Sequence, residues 1–105
     1  MAIKELQNVR EFNDTLSNNN RVVVNFSSPF SRAASLIEPT VEELAKSYPQ
    51  ITFVKVDIEQ FEQIGAEHDV VAFPTFVFFK DGVRQEPSVV GANKMELEEK
   101  VKSLA

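Results

Sequence analysis

The strongest constraint on the fold is a β-branched, mostly apolar run in the first quarter of the chain. Arg21 to Phe26 reads Arg-Val-Val-Val-Asn-Phe, with apolar residues at both odd and even positions. Successive side chains of a strand point to opposite faces of a sheet, so this run predicts a strand that is covered on both faces. A strand of this kind belongs in the middle of a sheet that has helices packed on each side.

Two amphipathic segments flank this strand and predict helices. The first ends at the polar turn Ser17-Asn18-Asn19-Asn20. The second runs from Ser31 to about Tyr48 and is ended by Pro49, because proline cannot continue a helix. Apolar residues recur at helical spacing in both segments: Val9, Phe12 and Leu16 in the first, and Leu36, Ile37, Val41, Leu44 and Ala45 in the second.

The second half of the chain predicts three more strands and two more helices. The Lys80-Asp81-Gly82 turn is typical of a hairpin, so the strands on either side of it should be antiparallel. Asn93 is placed as an N-cap, with Glu96 in the capping-box position. The elements are strands from Ile51 to Ile58, Thr75 to Lys80 and Val83 to Val90, a short helix around Gln60 to Glu67, and a last helix carrying Met95, Leu97, Val101 and Leu104.

Length and composition agree with this pattern. A chain of 105 residues with 43% hydrophobic content suits one compact domain covering residues 1–105. Strands that alternate with helices predict an α/β fold, with a mixed sheet covered on both faces. We therefore expect a single α/β domain.

Charge and hydropathy exclude several kinds of partner. The formal net charge is -5 and there is no run of basic residues, so we expect no nucleic-acid partner and no polybasic membrane anchor. No apolar stretch approaches the roughly 18 residues of a membrane span. The segment from Met1 to Leu6 carries Lys4 and Glu5 where a signal peptide needs an apolar run, which predicts a cytoplasmic protein.

Residues suited to metal or cofactor binding are few. The chain has one histidine and no cysteine, and its carboxylates fit no calcium loop. Gly65, Gly82 and Gly91 are isolated and form no phosphate loop. The sequence therefore predicts no metal site and no cofactor.

Several motifs occur in the order found in one known family. Val22 to Phe26 precedes a turn and the predicted long helix, which contains Pro39; the motifs that follow are Val54-Lys55-Val56-Asp57, Phe73-Pro74-Thr75-Phe76 and Val90-Gly91-Ala92-Asn93. Over nearly the whole chain this order resembles the thioredoxin family. The resemblance implies the thioredoxin fold, a central mixed five-stranded sheet flanked by four helices, with a cis peptide bond before Pro74.

The chain departs from this family where its redox chemistry takes place. The family carries Cys-x-x-Cys at the start of the long helix, where the helix dipole stabilises a thiolate. This chain has Ser31-Arg32-Ala33-Ala34 instead. A serine hydroxyl stays protonated near pH 7, forms no disulfide and needs an adjacent base to act as a nucleophile. Ser31 and Ala34 thus mark degenerate catalytic positions, and thiol chemistry is impossible.

Further family positions differ as well. The residue before the motif is Phe30 rather than tryptophan, Gly-Pro is replaced by Arg32-Ala33, and the aspartate of the central strand is Asn25. The resemblance implies that this aspartate assists proton transfer, which an asparagine cannot do. Lys55 resembles the family lysine below the site, here without its usual charged partner. We expect His68 to be a surface residue turned away from Ser31.

The leading hypothesis is a redox-inactive protein-binding or peptide-binding module, a monomer or weak dimer. In the family, substrate peptides lie in a groove formed by the active-site loop, the residues around the cis-proline and the loop after the last strand. An extended peptide could pair there with backbone groups near Pro74. The matching positions are Phe30, Arg32, Ala33, Val71, Ala72, Phe73, Pro74, Val90, Gly91 and Ala92.

An alternative hypothesis keeps the enzyme class of the family. Serine and alanine are common laboratory replacements for cysteine, so the chain could be an inactivated variant of a thioredoxin that catalyses dithiol-disulfide exchange. The changes at Phe30, Arg32-Ala33 and Asn25 favour natural divergence instead. Arg32 itself has two interpretations, a contact for an acidic partner or anion and a solvated surface side chain.

Overall fold

The computed structural model describes residues 3–105; Met1 and Ala2, part of the segment that predicted a cytoplasmic location, lie outside the described residues. Strands and helices alternate along the first part of the chain, and a hairpin and a helix end it. The strands are β1 (Ile3–Glu5), β2 (Arg21–Ser27), β3 (Thr52–Asp57), β4 (Thr75–Lys80) and β5 (Val83–Val90). The helices are α1 (Val9–Asn18), α2 (Arg32–Ser47), α3 (Glu62–Glu67) and α4 (Lys94–Leu104).

The strands form one five-stranded sheet in the order β1-β3-β2-β4-β5, so β2 is central as predicted. β2 runs parallel to β3 and antiparallel to β4, and its end is aligned by the pairs Asn25↔Lys55 and Phe26↔Thr75. The mixed five-stranded sheet with four helices confirms the predicted fold class. Periodicity did not predict β1, because a strand of three residues is too short to show a pattern.

Alternation along the central strands divides the core into two layers. Val23 of β2 faces the layer covered by α2 and α4, whereas Val22, Val24 and Phe26 face the layer covered by α1 and α3. All four side chains are at most 1% exposed. The run of consecutive apolar residues is therefore explained by burial on both faces of the sheet.

Three residues assigned to apolar helix faces are exposed. Leu36 is 68% exposed and Ile37 only 3%, since neighbouring helix residues differ in direction by about 100° and one of the two faces the sheet. Val9 and Met95 are also exposed, and they lie in the first turns of α1 and α4. Among the described residues no helix combines the length and the apolar character needed to cross a membrane.

Candidate functional site

Three chain segments meet at the end of the sheet where β2 finishes. The hydroxyl of Ser31, at the start of α2, donates to the carbonyl oxygen of Phe73 at 3.1 Å. The backbone N–H of Gly91, just after β5, donates to the carbonyl oxygen of Pro74 at 2.8 Å. The Phe73-Pro74 peptide bond is cis. These two hydrogen bonds bring together the predicted groove positions from segments that are distant in sequence.

Ser31 is engaged on both sides of its hydroxyl group. It is the N-cap of α2, and its Oγ accepts the N–H of Ala34 at 3.1 Å while donating to Phe73. Neither partner is a base that could remove the hydroxyl proton, so Ser31 is not activated as a nucleophile. Ala34 is 2% exposed and packs into the core. The family's thiol positions are thus occupied by a helix cap and a core residue.

Three large apolar side chains remain exposed around this junction. Phe30 precedes Ser31 and is 85% exposed, Val71 lies in the turn before Pro74 and is 91% exposed, and Val90 ends β5 and is 55% exposed. We call these three residues the groove patch. Folding does not bury them, so their apolar surface is free to contact another molecule.

The other predicted groove residues differ in accessibility. Phe73 is half-buried and packs against the core layer of α1 and α3, and Pro74 is buried. Part of the Phe73 ring is therefore taken up by contacts within the chain. Besides the exposed Val71 side chain, this turn offers backbone groups. Ala33, Ala72 and Gly91 are half-buried, whereas Arg32 and Ala92 are exposed.

Asn25 and Lys55 lie side by side beneath the junction. Asn25 is 4% exposed and its Oδ1 has no hydrogen-bond partner within residues 3–105. Its side chain lines a pocket of about 200 Å³ that Lys55 and Glu38 also line. A pocket of this size has room for water, which would satisfy the amide oxygen. As a neutral amide, Asn25 has no proton to exchange near pH 7.

Lys55 has a partner that sequence reasoning missed. Its Nζ lies 2.6 Å from Oε2 of Glu38 on α2. β3 lies between β1 and β2, so Lys55 is on an inner strand of the sheet. Glu38 follows Arg32 by almost two helical turns, and its position on the face above the sheet places its carboxylate over β3.

His68 is not the ordinary surface residue that was expected. Its ring lies among three phenylalanine rings at centroid distances of 5.6 to 5.9 Å, and Arg84 Nη1 lies 3.3 Å from its Nδ1. A guanidinium can only donate, so this contact favours the neutral ring with Nδ1 as the acceptor. Burial, followed by the Arg84 guanidinium, lowers the pKa of His68. The aromatic neighbours are Phe12, Phe26 and Phe79.

The position of His68 bears on hydrolytic chemistry. Its aromatic neighbour Phe26 belongs to the core layer of α1 and α3, whereas Ser31 starts α2 on the opposite face of the sheet. The hydrogen bonds of Ser31 go to Phe73 and Ala34. No Ser-His pair forms, as the sequence predicted. Within residues 3–105 no three histidine, aspartate or glutamate side chains converge in a way that could hold a metal ion.

Comparison with known proteins gives a consistent family assignment. A family model described as Thioredoxin matches residues 3–103. The chain is 33% identical to mitochondrial thioredoxin-3 of Saccharomyces cerevisiae over 103 residues, which cover 98% of this chain and 80% of that protein. It is 43% identical to an H-type thioredoxin of Picea mariana over 84 residues, 80% of this chain. It spans only 66% of that plant protein and 57% of thioredoxin-2 of Pyricularia oryzae.

Solved structures give the same picture. The crystal structure of oxidised mitochondrial thioredoxin 3 from Saccharomyces cerevisiae superposes with a TM-score of 0.92 at 33% identity, covering 98% of this chain and 96% of that one. A cysteine-to-serine mutant of the Entamoeba histolytica protein superposes with a TM-score of 0.87 at 34% identity, covering 96% and 98%. The sheet and helices described above are therefore shared across almost the full length of these chains.

Proposed function

The chain belongs to the thioredoxin family, and we propose that it is a redox-silent member that binds extended segments of other proteins across the groove patch. One observation carries the proposal. Phe30, Val71 and Val90 remain largely exposed at a junction that hydrogen bonds hold together, in a chain that has no cysteine. A surface that keeps apolar side chains in water without thiol chemistry is suited to binding.

Burial of the groove patch supplies the driving force. Covering apolar surface contributes about 25 cal/mol per Å², so two or three side chains enclosed by a partner give several kcal/mol before the costs of association are subtracted. That balance supports weak or moderate binding of a short segment. Backbone pairing next to Pro74, as in strand addition, would fix the direction of the segment.

Selection of short peptides from a random displayed library, using the whole chain as bait, tests this function. Replacing Val71 by serine removes apolar surface that is 91% exposed, so folding should be little affected. We expect Val71→Ser to weaken the selected peptides about tenfold, because burial of a valine contributes about 1.5 kcal/mol or more.

Val83→Ser is the matched control for the groove patch. Val83 is 63% exposed but pairs with Lys80 beside the hairpin turn, at the opposite end of the sheet. The Val83→Ser substitution should therefore leave peptide affinity unchanged. Equal binding to both serine variants, or no selected peptides at all, would contradict the proposed function.

A second candidate function is disulfide reduction by a parent of which this chain is a cysteine-substituted form. The placement of Ser31 favours it, because the N-cap of a helix is where the dipole would stabilise a thiolate. As written, the protein should give no reduction of insulin disulfides above background. Activity in the double variant Ser31→Cys, Ala34→Cys would support this candidate, and its absence would favour the binding role.

A further inference from the structure

The carbonyl groups of the cis-proline turn are already used within the chain. The carbonyl oxygen of Ala72 accepts the Thr75 hydroxyl at 2.6 Å. The carbonyl oxygen of Phe73 accepts the Ser31 hydroxyl at 3.1 Å, and that of Pro74 accepts the Gly91 N–H at 2.8 Å. Three successive acceptors of the groove edge thus have internal donors.

The N–H groups of the same turn are free. Within residues 3–105, the backbone N–H groups of Val71, Ala72 and Phe73 have no acceptor. Pro74 has no N–H. An extended peptide usually exchanges both donors and acceptors with a sheet edge, but at residues 72–74 each carbonyl oxygen already accepts one internal hydrogen bond. This edge therefore selects for a partner that brings hydrogen-bond acceptors.

Arg32 adds one charged donor to this edge. Arg32 is exposed and makes no ion pair or hydrogen bond with the described part of the chain. Segments 28–33, 71–75 and 90–92 contain no aspartate or glutamate, although the chain as a whole has a net charge of -5. A guanidinium offers five N–H donors and no acceptor. Glu5, Glu38 and Asp57 line a pocket that also includes Ser28 and Pro29, and Arg32 is the only charged residue of the three groove segments.

We propose that the partner of the groove patch is an acidic, proline-containing extended segment with apolar side chains. Its carbonyl groups would accept from the N–H groups of residues 71–73, and one carboxylate would pair with Arg32. Proline has no N–H, so the engaged carbonyl groups of this edge cost such a segment nothing, and its backbone is extended before binding. The inference rests on the proposed function and names the partner class of the same surface.

The peptides selected with the whole chain test the partner class through their composition. We expect aspartate, glutamate and proline to be enriched relative to the unselected library. On addition of an enriched peptide, the amide resonances of Ala72 and Phe73 should shift as their N–H groups gain acceptors, whereas those of Asp81 and Gly82 at the far end of the sheet should not. Affinity should fall as salt is added, because the Arg32 contact is an exposed charge pair.

A matched pair of variants isolates Arg32. We expect Arg32→Ala to weaken the enriched peptides about tenfold, in line with a hydrogen bond to a charged group, and Arg32→Lys to recover part of the loss. Lys46→Ala removes the same charge from the last turn of α2 and should change affinity less than about twofold.

The outcomes separate the two proposals. If no selected peptide binds Val71→Ser more weakly than Val83→Ser, the proposed function and this inference are both overturned. Peptides that depend on Val71 but show no acidic enrichment, or bind Arg32→Ala as tightly as the parent, would overturn the partner class alone. A basic or neutral consensus among the selected peptides would also overturn the partner class.

Discussion

Apolar residues are buried in strand β2, whereas an aromatic residue of the loop that follows β2 is exposed. Phe26, the last aromatic residue of β2, is 0% exposed, whereas Phe30 in the following loop is 85% exposed. The two residues have the same side chain and are four positions apart. Phe26 packs between core residues of the α1 and α3 layer, while Phe30 has no place in either core layer.

The loop is held by polar contacts instead. The Ser31 N–H donates to the Ser28 carbonyl oxygen at 3.1 Å, and the Phe30 N–H donates to Ser28 Oγ at 3.2 Å. The Ser31 hydroxyl adds the bond to Phe73. The comparison shows that this loop is ordered by its serines, which leaves its aromatic side chain free. Burial explains the apolar residues of β2, and binding is our explanation for Phe30.

The largest predicted effect is a difference in stability between the alanine variants of Phe26 and Phe30. Phe26→Ala removes a fully buried ring, so we expect the free energy of unfolding to fall by about 3–5 kcal/mol. Phe30→Ala should change it by no more than about 0.5 kcal/mol and should weaken peptide binding instead. Urea denaturation of both variants measures the difference. A loss above about 2 kcal/mol for Phe30→Ala would mean that the ring stabilises the fold.

A second prediction concerns the polar residue of β2. Asn25→Asp places a carboxyl group at a site that is 4% exposed, and burial raises the pKa of such a group above its unfolded value. Stability should be intact below the unfolded pKa of about 3.9 and fall as the pH rises through the folded pKa.

We expect a loss of about 1–3 kcal/mol near neutral pH, measured as the difference in urea midpoint between acidic and neutral solution. Asn13→Asp, on the exposed surface of α1, is the control and should show no such dependence. Identical pH profiles for both variants would show that the surroundings of residue 25, Lys55 among them, compensate the charge.

Ser31 links the strand region to the loop region, and its removal should have an intermediate effect. Ser31→Ala loses the N-cap of α2 and the bond to Phe73, so we expect a loss of about 1–2 kcal/mol in the free energy of unfolding. Ser31→Thr keeps the hydroxyl and should recover most of this loss. If alanine and threonine have equal stability, the hydroxyl does not hold the loop.

The smallest predicted effect is on the pH dependence of stability and concerns the imidazole ring of His68, which packs against Phe26 of β2. Burial and Arg84 lower the pKa of His68 in the folded state, so the neutral ring is favoured by folding. Its contribution is present above the unfolded pKa of about 6.5 and is lost as the pH falls below that value. Replacing His68 by phenylalanine should make the loss of stability on acidification shallower than in the parent. Parallel curves for the two proteins would contradict this.

The sequence predicted most of the fold but only part of the site. β2 and α2 were found because each is long enough to repeat its pattern, and Asn93 was correctly placed as a cap that accepts the Glu96 N–H at 3.2 Å. β1 was missed because its three residues show no period. Leu36 and Ile37 were assigned to the same face because both are apolar, although only one of two neighbours can point at the sheet.

The site residues show the limit more clearly. The bond between Ser31 and Phe73 joins residues 42 positions apart, and the contact between Lys55 and Glu38 joins a strand to a helix on its face. Neither contact leaves a periodic signal in the chain. His68 is a lone residue whose burial depends on rings from three other elements.

The sequence by itself determined the α/β pattern, the family and the absence of cysteine from these 105 residues, because these depend on local periodicity and on which residue types are present. Only the tertiary structure decided which of two phenylalanines is free, and which groups of the cis-proline turn still have hydrogen-bonding capacity. Exposure and hydrogen-bond saturation depend on neighbours brought together from distant parts of the chain, and no local pattern encodes them.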